Sequence, residues 1–488
     1  MTVIEHSGNL LKITPPQQAV IDPLLVYSHR SEVREGFKVQ FVTTDRAMYK
    51  VVDDSLYTFQ GALQLIKAEL DRRGMPYNYI DYRPDNPRVT PDYNNLRRSM
   101  PGLQFRIKQD EILAHIIAYD FGQIVAPTAY GKTFIMLATA ALFPKANIIM
   151  ASPSVALLDS TYRRLQDVTL QVGRVGGGHN HPDRITLTTM RSLLRCNIRS
   201  CDILILDESH KAAAPQTSDM LAKITTPRKI IGLTATPTGR ADNAELVTQC
   251  LVGPVLCEVE YQEARDAGIV SDLMVVALDL SPGDCPIMSS SWKSRTARKR
   301  NLYWRNSYRN SLFASACRDV PQQLGMADPQ VLVLAETTEH VLRLHKLLPD
   351  YDIVHGSLSK KQRLDFHNMG LIAADYRGPT KGEAAAMLQR FESGKLRRVI
   401  ATGSWGTGID CVYLDILVNV SGMRSSIDSV QWAGRNSRTY DGKKLGVVID
   451  CRDRWDQWAA GRAGERLRLY KSKGWKINRL NGAHTRLS

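Results

Sequence analysis

The run Ala126-Pro127-Thr128-Ala129-Tyr130-Gly131-Lys132-Thr133 has the residue types that hold phosphate. An apolar run, Gln123-Ile124-Val125, leads in, and a helix-like run from Phe134 to Ala138 leads out. In that setting the loop Pro127, Thr128, Ala129, Tyr130, Gly131 would wrap phosphates with its backbone N–H groups, and the helix N-terminus would add a favourable field. Lys132 would reach the terminal phosphates and the Thr133 hydroxyl would hold Mg²⁺. The loop departs from the general pattern, because Ala126 stands where the first glycine is expected. A chance Gly-Lys-Thr is common, and the alternative is an ordinary strand-to-helix turn with a surface lysine.

Partners for such a loop follow downstream. Asp207-Glu208-Ser209-His210 comes directly after the apolar run Ile203 to Leu206. An aspartate at the carboxyl end of a buried strand can bind the Mg²⁺ that bridges nucleotide phosphates. Glu208 beside it can orient and deprotonate an attacking water, and His210 can relay to the neighbouring strand. Thr234 and Thr236 stand at the next strand end, where two hydroxyls could bond the acidic side chains; such a turn could equally cap a strand. Further on, Thr402 and Gly403, then Gly406-Thr407-Gly408-Ile409-Asp410, close another strand with glycines and an acid. In Gln431-Trp432-Ala433-Gly434-Arg435-Asn436-Ser437-Arg438, a helix would set Gln431, Arg435 and Arg438 on one face. Two guanidinium groups there could neutralise a transferring phosphoryl group; the alternative is a surface helix with solvated arginines.

These residues need strands and helices to aim them. Residues 1–97 read as a small α/β domain, with strand-like Phe37–Val42 and Met48–Val52, a helix over Gly61–Arg73, and a turn-rich linker at Tyr82–Arg88. Over 98–275 short apolar strands alternate with helices, the pattern of a parallel sheet with crossovers. A basic segment with interleaved aromatics, 276–325, includes Trp292, Lys293, Arg298, Tyr303 and Trp304. It reads equally as a nucleic-acid patch or a solvated connecting helix. A second alternation occupies 326–455, and a basic helical tail, 456–488, follows. The fold class expected is α/β: two tandem RecA-like doubly wound parallel-sheet domains behind the small N-terminal domain.

A chain of 488 residues exceeds one core, so roughly two to four domains are expected. The balance of 64 Lys+Arg against 49 Asp+Glu gives +15, which suits a polyanion such as nucleic acid. An anionic membrane surface is the rival, but no apolar stretch approaches a spanning helix and the start lacks a signal-like apolar region. A cytoplasmic protein, monomeric and without membrane partners, is expected. The 8 cysteines are scattered without Cys-x-x-Cys pairs, so no structural zinc is expected. His179 and His181 follow three glycines and read as a polar loop.

The motif order resembles that of superfamily 2 helicases or translocases of the DExH kind, over about residues 100 to 455. Gly131-Lys132-Thr133, Asp207-Glu208-Ser209-His210 and Thr234-Ala235-Thr236 resemble motifs I to III, while 402–410 and 431–438 resemble motifs V and VI. The resemblance implies ATP and Mg²⁺, with Arg106 and Gln109 reading adenine and Gly408 and Asp410 on the nucleotide side. It also implies backbone contacts to nucleic acid from Ser152, Pro153, Ser154, Thr188 and Thr189, and from Thr402 and Gly403 on the opposite domain. Ala129 departs from the family, which often has glycine there. The small N-terminal domain and basic tail look most similar to phage UvsW-like recombination helicases, which remodel branched DNA. That implies a DNA helicase acting on forks or junctions in replication, recombination or repair. An RNA helicase and a motor or DNA-binding subunit of a restriction-type complex remain alternatives.

Overall fold

Alternating apolar residues near the amino terminus and solid apolar runs further on build different sheets. The computed structural model describes all residues except 36–37, 167–171, 197–199, 222, 225–226, 236–243, 281–294, 407–410, 423–425, 444, 455–456 and 482–488. Strands β1 (Thr2–Ser7), β2 (Leu10–Thr14), β5 (Tyr49–Val52), β6 (Ser55–Phe59) and β7 (Tyr77–Asp81) form a five-stranded sheet ordered β5-β6-β2-β1-β7. The helix Leu63–Arg72 packs Ile66 and Leu70 with Ile4, Leu11 and Ile13. Between β2 and β5, β3 (Val26–Glu35) and β4 (Lys38–Ala47) pair as a separate antiparallel ribbon.

The second sheet of this unit has eight strands: β8 (Phe121–Val125), β9 (Ile148–Ser152), β10 (Val172–Gly176), β11 (His179–His181), β12 (Ile185–Thr189), β13 (Ile203–Asp207), β14 (Lys229–Thr234) and β15 (Val255–Glu258). Their order is β11-β10-β12-β9-β13-β14-β8-β15, parallel throughout except for β11. Strands β8, β9, β12, β13 and β14 are buried along their whole length, which is why they carry no polar alternation. Parallel pairing brings Val125, Ser152, Thr189, Asp207 and Thr234 to one edge, where ligands of such sheets bind.

The two sheets make one compact unit, 1–127 with 131–259, where the sequence suggested a separate domain ending at 97. A Cβ on Gly61 would stand 2.1 Å from the Gln249 carbonyl oxygen, so only glycine allows this approach. Cys250 belongs to the core of the amino-terminal sheet. The expected linker fastens the two sheets: Arg83 pairs with Asp81 at 2.6 Å and Asp120 at 3.0 Å, and Asn86 donates to Asp202 at 2.7 Å.

The other unit comprises 260–488 with 128–130. Its seven parallel strands are β16 (Asp272–Leu280), β17 (Gln330–Ala335), β18 (Asp352–Val354), β19 (Arg398–Thr402), β20 (Leu414–Asn419), β21 (Leu445–Asp453) and β22 (Lys476–Asn481), ordered β18-β19-β17-β20-β21-β16-β22. Two expectations shift here. The apolar run of β16, within the span expected to close the first domain and open the connecting segment, belongs to this sheet and pairs β21 and β22. The tail 456–488 supplies the helix Gln457–Ser472 and β22, so it completes the domain. The helix Ser307–Gln323, expected as connector, puts Phe313, Cys317 and Val320 into the core. Apolar alternation finds a strand but does not say which sheet receives it. The architecture is mixed α/β with two tandem parallel RecA-like sheets.

Candidate functional site

After β8 the chain turns into the helix Lys132–Leu142, whose residues from Ile135 onward are buried. The turn requires two left-handed residues, Gly131 at φ 114° and Ala129 at φ 72°. Glycine takes this conformation freely, while alanine is strained by roughly 1–2 kcal/mol. The position where glycine was expected therefore has a conformational reason for it. The Lys132 ammonium donates to the Ala126 carbonyl at 3.2 Å and lies 3.5 Å from that of Pro127, which holds it over the loop. Thr133 is half-buried in the first helical turn. Gln109 and Arg106 lie against the loop: a Cβ on Gly131 would meet Gln109 Nε2 at 3.2 Å and Arg106 Nη1 at 3.7 Å. Gln109 is fixed by accepting the Arg106 backbone N–H at 3.0 Å.

The acidic motif ends β13, and the intervening strand β14 separates it from β8. Asp207 is 9% exposed and accepts the Glu208 N–H at 3.1 Å. Glu208 is left-handed, φ 54°, the kind of local strain that gathers at functional sites. Its carboxylate lies 3.5 Å from His210 Nδ1, which is 3.0 Å from the Thr234 hydroxyl. The sequence reading gave Thr234 to the carboxylates; its hydroxyl lies against the His210 imidazole, which in turn faces Glu208. Thr236 lies outside the described residues. Ser209 donates to Gln123 Oε1 at 3.2 Å, tying the acidic turn to β8, and a Cβ on Gly232 would strike Ser209 Cβ at 2.7 Å.

The hydroxyl row expected to touch nucleic acid is largely turned inward. Ser152, Thr188 and Thr189 are 1%, 0% and 6% exposed. The Ser154 hydroxyl accepts the Leu157 N–H at 3.3 Å at the start of the next helix, and Thr189 bonds Ser192 Oγ at 3.0 Å. These positions, with Pro153, present strand-end backbone to a ligand more readily than side chains. A feature the sequence reading left unused lies beside them: a Cβ on Gly176 would approach Ser192 Oγ at 3.1 Å, and one on Gly177 would reach Val155 Cγ1 at 2.8 Å. The glycine triplet 176–178 thus presses a turn against this edge, and exposed His179 and His181 follow it. Among the described residues no grouping of His, Cys, Asp and Glu could hold a metal ion without other ligands.

In the second unit the helix Ser426–Arg435 carries Gln431 and Arg435 four residues apart, on one face. Gln431 is buried and Arg435 half-buried, while Trp432 is wholly buried. Arg438 is not on that helix. The chain leaves it at Asn436, whose side chain donates to the Asp415 and Val447 carbonyls at 3.0 and 2.7 Å, and Arg438 forms an isolated antiparallel bridge with Val270. Lys443 holds the turn by donating to the Asn436 carbonyl at 2.7 Å, and burial pushes its ammonium down to about 8. Thr402 ends β19 and Gly403 is buried in the following turn; Gly408 and Asp410 lie outside the described residues.

Of the described aromatics of the basic segment, Tyr308 is exposed while Tyr303, Trp304 and Phe313 face inward. Tyr303 and Trp304 are buried, and Trp304 Nε1 donates to Glu336 at 3.3 Å, so neither is free to stack on a base. Arg298 and Arg300 are exposed; Trp292 and Lys293 lie outside the described residues. No described helix is long and apolar enough to cross a membrane.

Comparison with known proteins agrees with the motif order. Residues 103–239 match the family model described as type III restriction enzyme, res subunit. The DNA 3'-5' translocase XPB2 of Sulfurisphaera tokodaii is 22% identical over 362 residues, which span 71% of this chain and 81% of that one. Saccharomyces cerevisiae Dbp5, solved bound to RNA and ADP BeF3, superposes with a TM-score of 0.52 at 15% identity, covering 81% of this chain and 94% of Dbp5. That likeness is one of fold. T4 UvsW aligns over 99% of both chains at 14% identity, but its TM-score of 0.39 is too loose to bear on fold or function. The sequence matches are thus to a DNA translocase and to a restriction-enzyme subunit model, and the structural match is to the fold of Dbp5.

Proposed function

We propose that this chain is an ATP-dependent DNA helicase or translocase that remodels forks or junctions. The observation that carries the reading is the meeting, at one edge of a buried parallel sheet, of the Lys132 loop after β8 and the Asp207-Glu208 turn after β13. The donor set fits a nucleotide with Mg²⁺: an ammonium, a hydroxyl and a carboxylate at strand ends beside a helix N-terminus. In this reading Arg106 and Gln109 orient the base, loop N–H groups and Lys132 bind phosphate oxygens, and Thr133 and Asp207 hold Mg²⁺. Mg²⁺, when bound, neutralises charge on the phosphates. Glu208 accepts the proton of the attacking water, with His210 and Thr234 steadying its carboxylate. By the helicase resemblance, Gln431, Arg435 and Arg438 are assigned to neutralising charge on the transferring phosphoryl group, and Gly408 and Asp410 to the nucleotide. Strand-end backbone at Ser152–Ser154, Thr188–Thr189 and Thr402–Gly403 would follow a sugar-phosphate strand without reading its sequence.

The DNA assignment draws on the translocase relative, on the restriction-enzyme model and on the charge of +15. The match over 103–239 also favours a second reading, the motor subunit of a restriction-type assembly. Steady-state ATP hydrolysis and strand separation measured on forks, four-way junctions, plain duplex and RNA separate the possibilities. The proposal expects branched DNA to stimulate most and the isolated chain to separate strands. Stronger stimulation by RNA overturns the DNA assignment, stimulation without strand separation favours the subunit reading, and no stimulation by any polymer overturns the motor.

A further inference from the structure

Two arginines outside every motif are wholly buried in the second unit. Arg309, in the helix Ser307–Gln323, is 0% exposed; Arg466, in Gln457–Ser472, is 1% exposed. Each pairs a carboxylate on β21. Arg309 Nε and Nη2 donate to the two Asp453 oxygens at 3.0 and 3.3 Å, and Arg466 Nε and Nη2 to the two Asp450 oxygens, both at 3.0 Å. A guanidinium has donors left after such a bidentate pair; Arg466 Nη2 also donates to the Cys451 carbonyl at 3.0 Å, and each arginine turns its Nη1 on one short stretch of backbone. Arg309 Nη1 donates to the Val420 carbonyl at 2.7 Å, and Arg466 Nη1 donates to the Gly422 carbonyl. These are the residues between the end of β20 and the helix Ser426–Arg435.

The approach is close enough to dictate sequence. Gly422 is left-handed at φ 61°, and a Cβ there would stand 2.6 Å from Arg309 Nη2 and 2.7 Å from Tyr303 Cε1. The network also reaches the helix itself. Asn419 donates to Asp450 at 3.3 Å and to Ser429 Oγ at 3.4 Å, and accepts the Ser421 hydroxyl at 2.7 Å. Tyr470 adds a bond to Asp450 at 2.8 Å. Burying two ion pairs is a poor route to stability, since apolar side chains of the same volume do as well or better. Such a network is better accounted for by the geometry it imposes.

We infer that Arg309 and Arg466 are positioning residues that, through Val420–Gly422 and Asn419, fix where the helix Ser426–Arg435 presents Gln431 and Arg435. The inference rests on the proposed ATPase. It makes the carboxy-terminal helix, which the sequence suggested as a basic tail, a part of the machine. Displacement of a reacting group by about 1 Å can cost about a hundredfold in rate.

Asn419→Ala tests this gently, because it cuts the link to Ser429 while Asp450 keeps Arg466 and Tyr470. Arg466→Lys tests it severely, retaining charge without the fork. The measurements are kcat and KM for DNA-stimulated ATP hydrolysis, the unfolding midpoint from tryptophan fluorescence, and amide exchange across 426–435. Asn419→Ala should lower kcat by about tenfold with KM unchanged, faster exchange in that helix and a fall in midpoint too small to unfold the protein under assay, and Arg466→Lys should lower kcat further. An unchanged kcat in Asn419→Ala, or a loss that only follows a falling midpoint, overturns the inference. If the wild-type chain hydrolyses no ATP with any polymer, the proposed function fails by itself. The positioning is then judged on exchange alone: faster in Asn419→Ala supports it, unchanged overturns it.

Discussion

The two units prepare their candidate residues by opposite means. In the first, Lys132 and Thr133 follow β8 directly, and Asp207 and Glu208 close β13, so chain direction and parallel pairing suffice to bring them to one edge. Some of the bonds there are short in sequence, Lys132 to Ala126 six residues away and Glu208 to its neighbour, and Ser209 ties the acidic turn to Gln123 across 86 positions. In the second, the helix bearing Gln431 and Arg435 depends on bonds between residues far apart, Arg309 to Asp453 across 144 positions and to Val420 across 111. A site built from consecutive residues tolerates change elsewhere in its domain. One held by buried long-range charges does not.

Breaking that contrast begins with its strongest element. Asp450→Ala strands a buried guanidinium, and removing one partner of such a pair costs about 3–5 kcal/mol. All 7 tryptophans lie beyond residue 290, so tryptophan fluorescence during urea unfolding follows the second unit alone. The midpoint should fall accordingly, while amide exchange in β8 and β13 stays at the wild-type rate.

The first unit has its own weakness, at the seam between its two sheets rather than at the site. His6 is buried beside the Tyr79 hydroxyl at 2.9 Å and the Phe121 ring, and burial, reinforced by Arg83, pushes its imidazole down to about 4. Between pH 6.5 and 4 the unfolded chain binds the proton and the folded one resists it, so stability falls on acidification through that window. The loss is on the order of 3 kcal/mol at most. Exchange in the first unit should accelerate from pH 6.5 to 4, after correction for intrinsic rates, and His6→Gln should flatten the dependence.

The smallest effect sharpens the comparison at the loop itself. Ala129→Gly relieves roughly 1 kcal/mol of left-handed strain, against a partly offsetting gain in unfolded-chain entropy. The expected outcome is slower exchange in the first helical turn after Gly131, by a factor of about two to five.

Legibility in the sequence follows the same division. The strands Ile124–Val125, Ile203–Leu206 and Val331–Leu334 were readable because burial on both faces leaves a continuous apolar run. The phosphate loop and acidic turn were readable because each is a few adjacent residues. Arg438 was misplaced on a helix face because periodicity does not show Asn436 reaching across to Asp415 and Val447. Arg309, Arg466 and Asp450 were illegible for a related reason. An arginine in a polar helix looks solvated until a carboxylate from another strand is known to face it. The basic segment around Trp304 read as a patch or connector because composition does not reveal that Tyr303 and Trp304 are buried.

The proposed function assigns nucleotide binding to Lys132 and stabilisation of the transferring phosphoryl group to Arg435. Nucleotide affinity and single-turnover hydrolysis, compared for Lys132→Ala and Arg435→Ala, test it most directly. The account predicts that Lys132→Ala loses both, whereas Arg435→Ala binds ATP like the wild type and hydrolyses it slower by about a hundredfold or more. Wild-type turnover in Arg435→Ala, or equal loss of binding in both variants, would contradict it.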